Sequence, residues 1–266
     1  MQFLTANLWR HLIVPTLTFL MVADAYAEGD ASKSAESAAA SSPLDPAIEL
    51  AKKSRAELAK VDDYVATFYK KERVGDRLIT HNMAIKHRRD PFSVYLRFIG
   101  DHEGREVIYA DGGNDGKLLV HETGLAGIIG TIALIPTSPE AMSESLYPIT
   151  SIGMWNLVEK VIVQWEGERE HGEVEVKYYP QAKLGKVECK TIESTHPKPR
   201  RHFRYHRTRL YLDKKTNLPV RVEQFGFPRQ PDQEPPLVGE YQYSDVRINQ
   251  GLRDIDFDPR NPKYNY

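Results

Sequence analysis

The sequence predicts a mainly β protein of the α+β class: about ten antiparallel strands, one helix before them, and a helical insertion between two halves of the sheet. Three observations predict it. Beyond Tyr64 apolar and polar residues alternate through run after run. The runs are separated by short breaks containing Gly, Asp or Pro. Helical spacing of apolar residues is confined to a stretch ahead of the strands and another in the middle of the chain.

Glu28 to Ser42 is rich in Ala and Ser and has no apolar period, so it reads as a flexible tether. Asp45-Pro46 marks a helix start, because Asp accepts hydrogen bonds from the first free amides and Pro lacks only an N–H that would have no partner. Ala47, Leu50, Ser54, Leu58 and Val61 then share one helical face. Strands are expected from Tyr64 to Val74 and Leu78 to Arg88 around the turn Gly75-Asp76, and from Phe92 to Phe98. Within the last, Phe92, Val94, Leu96 and Phe98 face one way and Ser93, Tyr95 and Arg97 the other. Glu106 to Ala110 and Lys117 to His121 flank a Gly-rich turn.

Gly124 to Pro136 is apolar with three glycines, and reads either as core beneath the insertion or as a mobile apolar flap. Ser138-Pro139-Glu140 looks like the start of a helix over Ala141 to Leu146. Ser151 is expected to cap a second helix carrying Trp155, Leu157, Val158, Val161 and Ile162. Strands resume from Glu173 to Tyr179, Val187 to Ser194, Tyr205 to Asp213, Leu218 to Phe225 and Gly239 to Ile248, with Lys214 to Asn217 as a turn. Around Phe257 a terminal strand is expected. Residues 44–266 thus form one domain, with the insertion at 137–166 and a linker at 28–43.

Residues 1–27 have the parts of a secretory signal: a basic start at Arg10, an apolar run from Leu12 to Val22, and small residues Ala25 and Ala27 at the cut. The run is shorter than the roughly 20 apolar residues of a spanning helix, so the exported chain is expected not to span the membrane. Cys189 is the single cysteine, which leaves no internal disulfide and fits a small buried side chain. Lys and Arg number 36 against 37 Asp and Glu, a balance that points away from nucleic acid.

Signatures of catalysis and cofactor binding are missing: the sequence has no G-x-S-x-G, no H-E-x-x-H and no C-x-x-C. Asp111 to Leu118 resembles a phosphate loop only superficially, since Asp111 stands where Gly is needed and Leu118 where Ser or Thr is. His202 and His206 have a metal-like spacing, but Arg200, Arg201, Arg204, Arg207 and Arg209 surround them and would repel a cation. That basic run reads as a strand face paired with acids, or as a site for an anion. Asp254, Asp256 and Asp258 lack the glycine turn of a calcium loop. No catalytic residue, metal ligand or cofactor is therefore expected.

Three C-terminal runs carry a resemblance: Asp213-x-x-Thr216-Asn217-Leu218-Pro219-Val220-Arg221-Val222-Glu223, then Glu240-Tyr241-x-Tyr243-x-Asp245-Val246, then Asn249-x-Gly251-Leu252-x-Asp254-x-Asp256-Phe257. With Pro91 to Phe98 and Gly104 to Tyr109 upstream, they resemble the periplasmic carriers of lipoproteins, the LolA/LolB-like superfamily. Tyr147-Pro148-Ile149-Thr150-x-Ile152-Gly153 is similar to an uncharacterised family of exported bacterial proteins within it, domain of unknown function 1571. The resemblance implies an incomplete antiparallel β-barrel covered by helices, enclosing an apolar cavity that in the carriers takes acyl chains.

On this reading Phe92, Val94, Leu96, Phe98, Leu118 and Val120 line the concave face, with Leu125, Ile128, Ile129 and Trp155 in the cover. The expected protein is a periplasmic monomer that binds an apolar or acylated ligand without catalysis. The alternative is an envelope protein-interaction or stress-sensing module; a hydrolase ranks behind both.

Overall fold

The computed structural model describes residues 41–266 apart from Leu125, Ala126, Ile128, Ile129 and Pro231. The expected signal peptide, its cleavage residues Ala25 and Ala27, and nearly all of the tether lie outside the described residues.

Helix α1 (Asp45–Leu58) buries Ala47, Ile48, Ala51, Ser54 and Leu58. Its start differs from expectation: Asp45 lies inside the first turn, and its carboxylate reaches back to accept the Ser42 N–H at 2.9 Å. The strands are β1 (Asp63–Val74), β2 (Arg77–Arg88), β3 (Ser93–Ile99), β4 (Glu106–Ala110), β5 (Leu118–His121), β6 (Thr131–Leu134), β7 (Glu175–Leu184), β8 (Val187–Thr195), β9 (Arg207–Asp213), β10 (Pro219–Phe225) and β11 (Leu237–Ile248). They form one antiparallel sheet in the order β6-β5-β4-β3-β2-β1-β11-β10-β9-β8-β7. The sheet is not closed, and β6 and β7 are its edges. Gly75, at φ +59°, supplies with Asp76 the two-residue turn that sets Val74 opposite Arg77.

Three expectations are corrected. The strand count rises to eleven because part of the apolar stretch after Gly124 pairs with β5, Leu134 opposite Leu118, as edge strand β6. Ala141 to Leu146 is a series of turns, not a helix; the Met142, Ser143 and Ser145 amides bond the Ser138, Glu140 and Met142 carbonyls as separate turns rather than as a continuous helical ladder. Asp254–Phe257 is a single 3-10 turn, not a strand, because the Asp256 carboxylate folds back onto the Arg253 N–H.

Helix α2 (Met154–Glu168) packs one face inward through Met154, Leu157, Val158, Val161, Ile162 and Trp165. Ion pairs Asp45–Arg169, Lys52–Glu166 and Arg55–Glu159, each 2.7 Å, run in opposite order along the two helices and so place them antiparallel. Trp165, fully buried, donates from Nε1 to the Ser194 hydroxyl at 2.9 Å. Buried Glu168 lies 3.0 Å from Nε2 of His196, which fastens the end of α2 to the β8 side of the sheet. The main core fills the space between these helices and one sheet face.

On the other face of β3 and β4 Arg97 meets water, but Tyr95 and Ile108 are buried. Tyr264 stacks on Tyr95 with ring centres 4.1 Å apart, and buried Glu106 accepts from the Tyr95 hydroxyl at 3.0 Å and the Asn265 N–H at 2.9 Å. The C-terminal segment thus buries the first half of β3 on both sides, from Ser93 to Leu96.

Candidate apolar ligand site

A cavity of about 270 Å³ lies against the inner face of the sheet. Strand alternation builds its wall: Phe68 of β1, Met83 of β2, Leu96 and Phe98 of β3, Val107 of β4, Leu118 and Val120 of β5, and Ile132 and Leu134 of β6. Tyr241 and Tyr243 of β11 and Val222 of β10 continue it, while Leu157 and Val161 of α2 and the turns from Pro136 to Gly153 cover it.

Of the residues singled out in the sequence, Leu96, Phe98, Leu118 and Val120 lie in this wall. Phe92, Val94 and Trp155 do not. Val94 is fully buried, and Phe92 meets His87 edge-on at 5.3 Å, so the sheet face runs past the cavity into filled core. Trp155 is half-buried on α2 and packs against that core. Leu125, Ile128 and Ile129 lie outside the described residues. Sequence reasoning missed Met83 and Phe68, whose alternation within β2 and β1 was the available signal, and Tyr241 and Tyr243, already prominent in the C-terminal runs.

The start of α2 is held over the cavity by tyrosines, not by the expected Ser151 cap. The Tyr243 hydroxyl accepts the Gly153 N–H and the Tyr64 hydroxyl the Met154 N–H, each at 3.2 Å. These are two of the free amides every helix start presents. Burial pushes both phenols up, so they stay protonated. Behind them His87 stacks on Tyr64 at 4.9 Å, and burial lowers its pKa to about 4.

Most charges in the wall are paired. Buried Glu72 accepts from the Tyr241 hydroxyl at 2.7 Å and the Leu146 N–H at 3.1 Å, and lies 3.1 Å from Lys70 Nζ. Lys70 also donates to the Ser145 hydroxyl at 2.6 Å and the Glu144 carbonyl at 3.2 Å. This network clamps the turns of the cover to the sheet. Arg105 bridges Glu122 at 2.7 Å and Glu144 at 2.8 Å.

His81, His102 and Glu144 each offer a metal-ligating atom, all within 4.8 Å of one another. Arg105 already satisfies that carboxylate and donates to Nδ1 of His102 at 2.9 Å, so a guanidinium supplies the positive charge there. Burial, with Lys70 next, lowers the His81 pKa to about 4 and keeps it neutral. Burial would raise Glu144, but the Arg105 hydrogen bond and charge hold it below the usual carboxylate range.

No helix among the described residues is long and apolar enough to cross a membrane. No curated protein matches the chain in sequence. Among solved structures, the chain is similar to lipoprotein LppX of Mycobacterium tuberculosis at 11% identity and TM-score 0.46, over 80% of this chain and 100% of that one. A LolA superfamily protein of Nitrosomonas europaea matches at 11% identity and TM-score 0.31, over 79% and 96%. A chain of the Pseudomonas aeruginosa MucA/MucB complex matches at 15% identity and TM-score 0.43, over 80% of this chain and 60% of that one. The model of the family described as protein of unknown function (DUF1571) matches residues 61–266, and the chain belongs to that family.

Proposed function

We propose that this is an exported cell-envelope protein, cut after Ala27 and working in the periplasm, which binds an acyl chain or another apolar ligand without catalysis. One observation carries the reading: a cavity of about 270 Å³ walled by apolar side chains from six consecutive strands and α2. Ligand pockets usually hold about 300–1,000 Å³, so this one suits a single chain rather than a bulky lipid. Leu96, Phe98, Leu118 and Val120 are the proposed contacts.

Mass spectrometry of organic extracts of the protein purified from its own envelope tests the proposal directly. Titration with fatty-acid probes of increasing length tests it in vitro. Each CH₂ that enters contributes about 0.8 kcal/mol, near a fourfold gain in affinity, until the cavity is full. Clean extracts, together with no binding of any probe to the folded protein, sink the proposal.

A second reading rests on the sheet edge. β7 has one unpaired side and carries Tyr178 and Tyr179 at 44% and 42% exposure, a surface to which a protein partner can add a strand. Crosslinking that recovers an envelope protein through β7, with no lipid in the extracts, favours this module.

A further inference from the structure

Beside the cavity lies a second, more open hollow of about 490 Å³, and the two share Tyr147, Ser151, Lys160 and Gln224 in their walls. Lys160 therefore stands where one opens beside the other. Its Nζ lies 4.3 Å from the centre of the Tyr147 ring, and the Arg204 guanidinium lies 5.7 Å from the same centre. Neither cation makes an ion pair among the described residues. The carboxylates in the hollow are committed elsewhere: Glu159 to Arg55 at 2.7 Å, and buried Glu168 beside His196 at 3.0 Å.

The basic run noted in the sequence divides on the same ground. Arg200 is held by Glu173, and Arg207 and Arg209 by Glu193, whereas Arg204 turns to the tyrosine. Two like charges sharing one ring repel, and an anion between them relieves the repulsion. Burial and the Arg204 charge lower the Lys160 pKa, with Glu72 opposing, as expected of an ammonium short of a counter-charge.

We infer that Lys160 and Arg204 form the headgroup site for an anionic single-chain amphiphile, a carboxylate or a phosphate monoester, whose chain enters the adjoining cavity. The inference rests on the cavity reading above and adds the charge and polarity of the ligand. Gln224 and the Tyr147 and Tyr205 hydroxyls, 3.0 Å apart, supply further polar groups in the same wall.

The test titrates the full-length chain with laurate, lauryl phosphate and lauryl alcohol, followed by intrinsic fluorescence at low and high salt. At low salt at least one anion is expected to bind about tenfold or more tighter than the alcohol, because a charge-assisted contact is made only by the anion. Added salt narrows that gap. Lys160→Met with Arg204→Met is expected to lower the anions' affinity about tenfold more than the alcohol's, and so to erase the gap. The stronger of the two anions identifies the headgroup as a carboxylate or a phosphate monoester. Should the double variant not fold, Arg204→Gln, at an exposed position, is expected to narrow the gap alone. Alcohol and anions binding equally to the unaltered protein overturn the headgroup site and leave the cavity reading standing. Equal loss of alcohol and anion in the variants overturns it too, since the two residues would then only shape the wall. If no probe binds at all, both readings fall.

Discussion

Replacing Gly153 with Ala tests how closely the start of α2 is set against the sheet. Gly153 has φ 117° and ψ 150°, backbone that is almost confined to glycine. A side chain there costs about 1–3 kcal/mol from strain alone. The added Cβ would also lie 2.5 Å from Nε2 of His87, a buried ring stacked on Tyr64. Forcing that contact apart costs about 1–3 kcal/mol more, as overpacking does in cores. A total loss of about 2–6 kcal/mol is expected. Urea unfolding followed by tryptophan fluorescence reads it as a lower midpoint at unchanged slope. A cycle with His87→Ala separates the parts: the double variant recovers the steric share and keeps the backbone share, a coupling of about 1–3 kcal/mol. A total loss under about 1 kcal/mol, or strict additivity in the cycle, refutes the geometry.

Leu96→Arg puts a charge into the cavity wall and is expected to abolish fatty-acid binding, while Arg97→Leu on the opposite face leaves it intact; equal effects in a fluorescence titration would contradict the strand alternation. Stability is expected to fall on acidification, because the unfolded His87 takes a proton below pH 6.5 that the folded ring refuses until about pH 4. Over that window the loss from His87 amounts to about 3 kcal/mol, and His81 acts in the same direction. A His87→Gln protein whose unfolding midpoint falls as steeply with pH would refute the assignment. Trp165→Phe removes the bond to Ser194 in a buried setting and is expected to cost about 1–3 kcal/mol, measured by thermal or urea unfolding.

What the sequence revealed, and what it hid, divides by range. Leu96, Phe98, Leu118 and Val120 reach the cavity because alternation is a local property of a strand, readable without its neighbours. Alternation cannot say where a cavity ends, so it puts Phe92 and Val94 in the wall although His87 meets Phe92 edge-on and pairs opposite Val94. The turns at Ala141 carry a helix-start signal, yet their place is set by Lys70 and Glu72 of distant β1 and by Arg105 just ahead of β4. Asp254 to Phe257 alternates like a strand, but its carboxylates are drawn to Arg88 and Lys86. The group of His81, His102, Arg105 and Glu144 has no spacing to find, because sheet pairing and the cover assemble it.

The pairing of β1 with β11, Tyr64 opposite Ile248, has a consequence for how the protein is made. Every other neighbouring pair in the sheet is also consecutive along the chain, so β1–β6 and β7–β11 are two meanders that form from nearby residues. They join only at this seam. Because the chain is delivered N-terminus first, β1 can complete its hairpin with β2 and then waits with its other side bare until β11 arrives. A bare strand edge recruits whatever strand comes near, including one from another half-made copy. Closing the long loop costs little extra entropy, since that cost grows only with the logarithm of length. The hazard is therefore one of timing: a chain stalled or truncated before β11 presents two sticky half-sheets, whereas the finished chain seals them against each other.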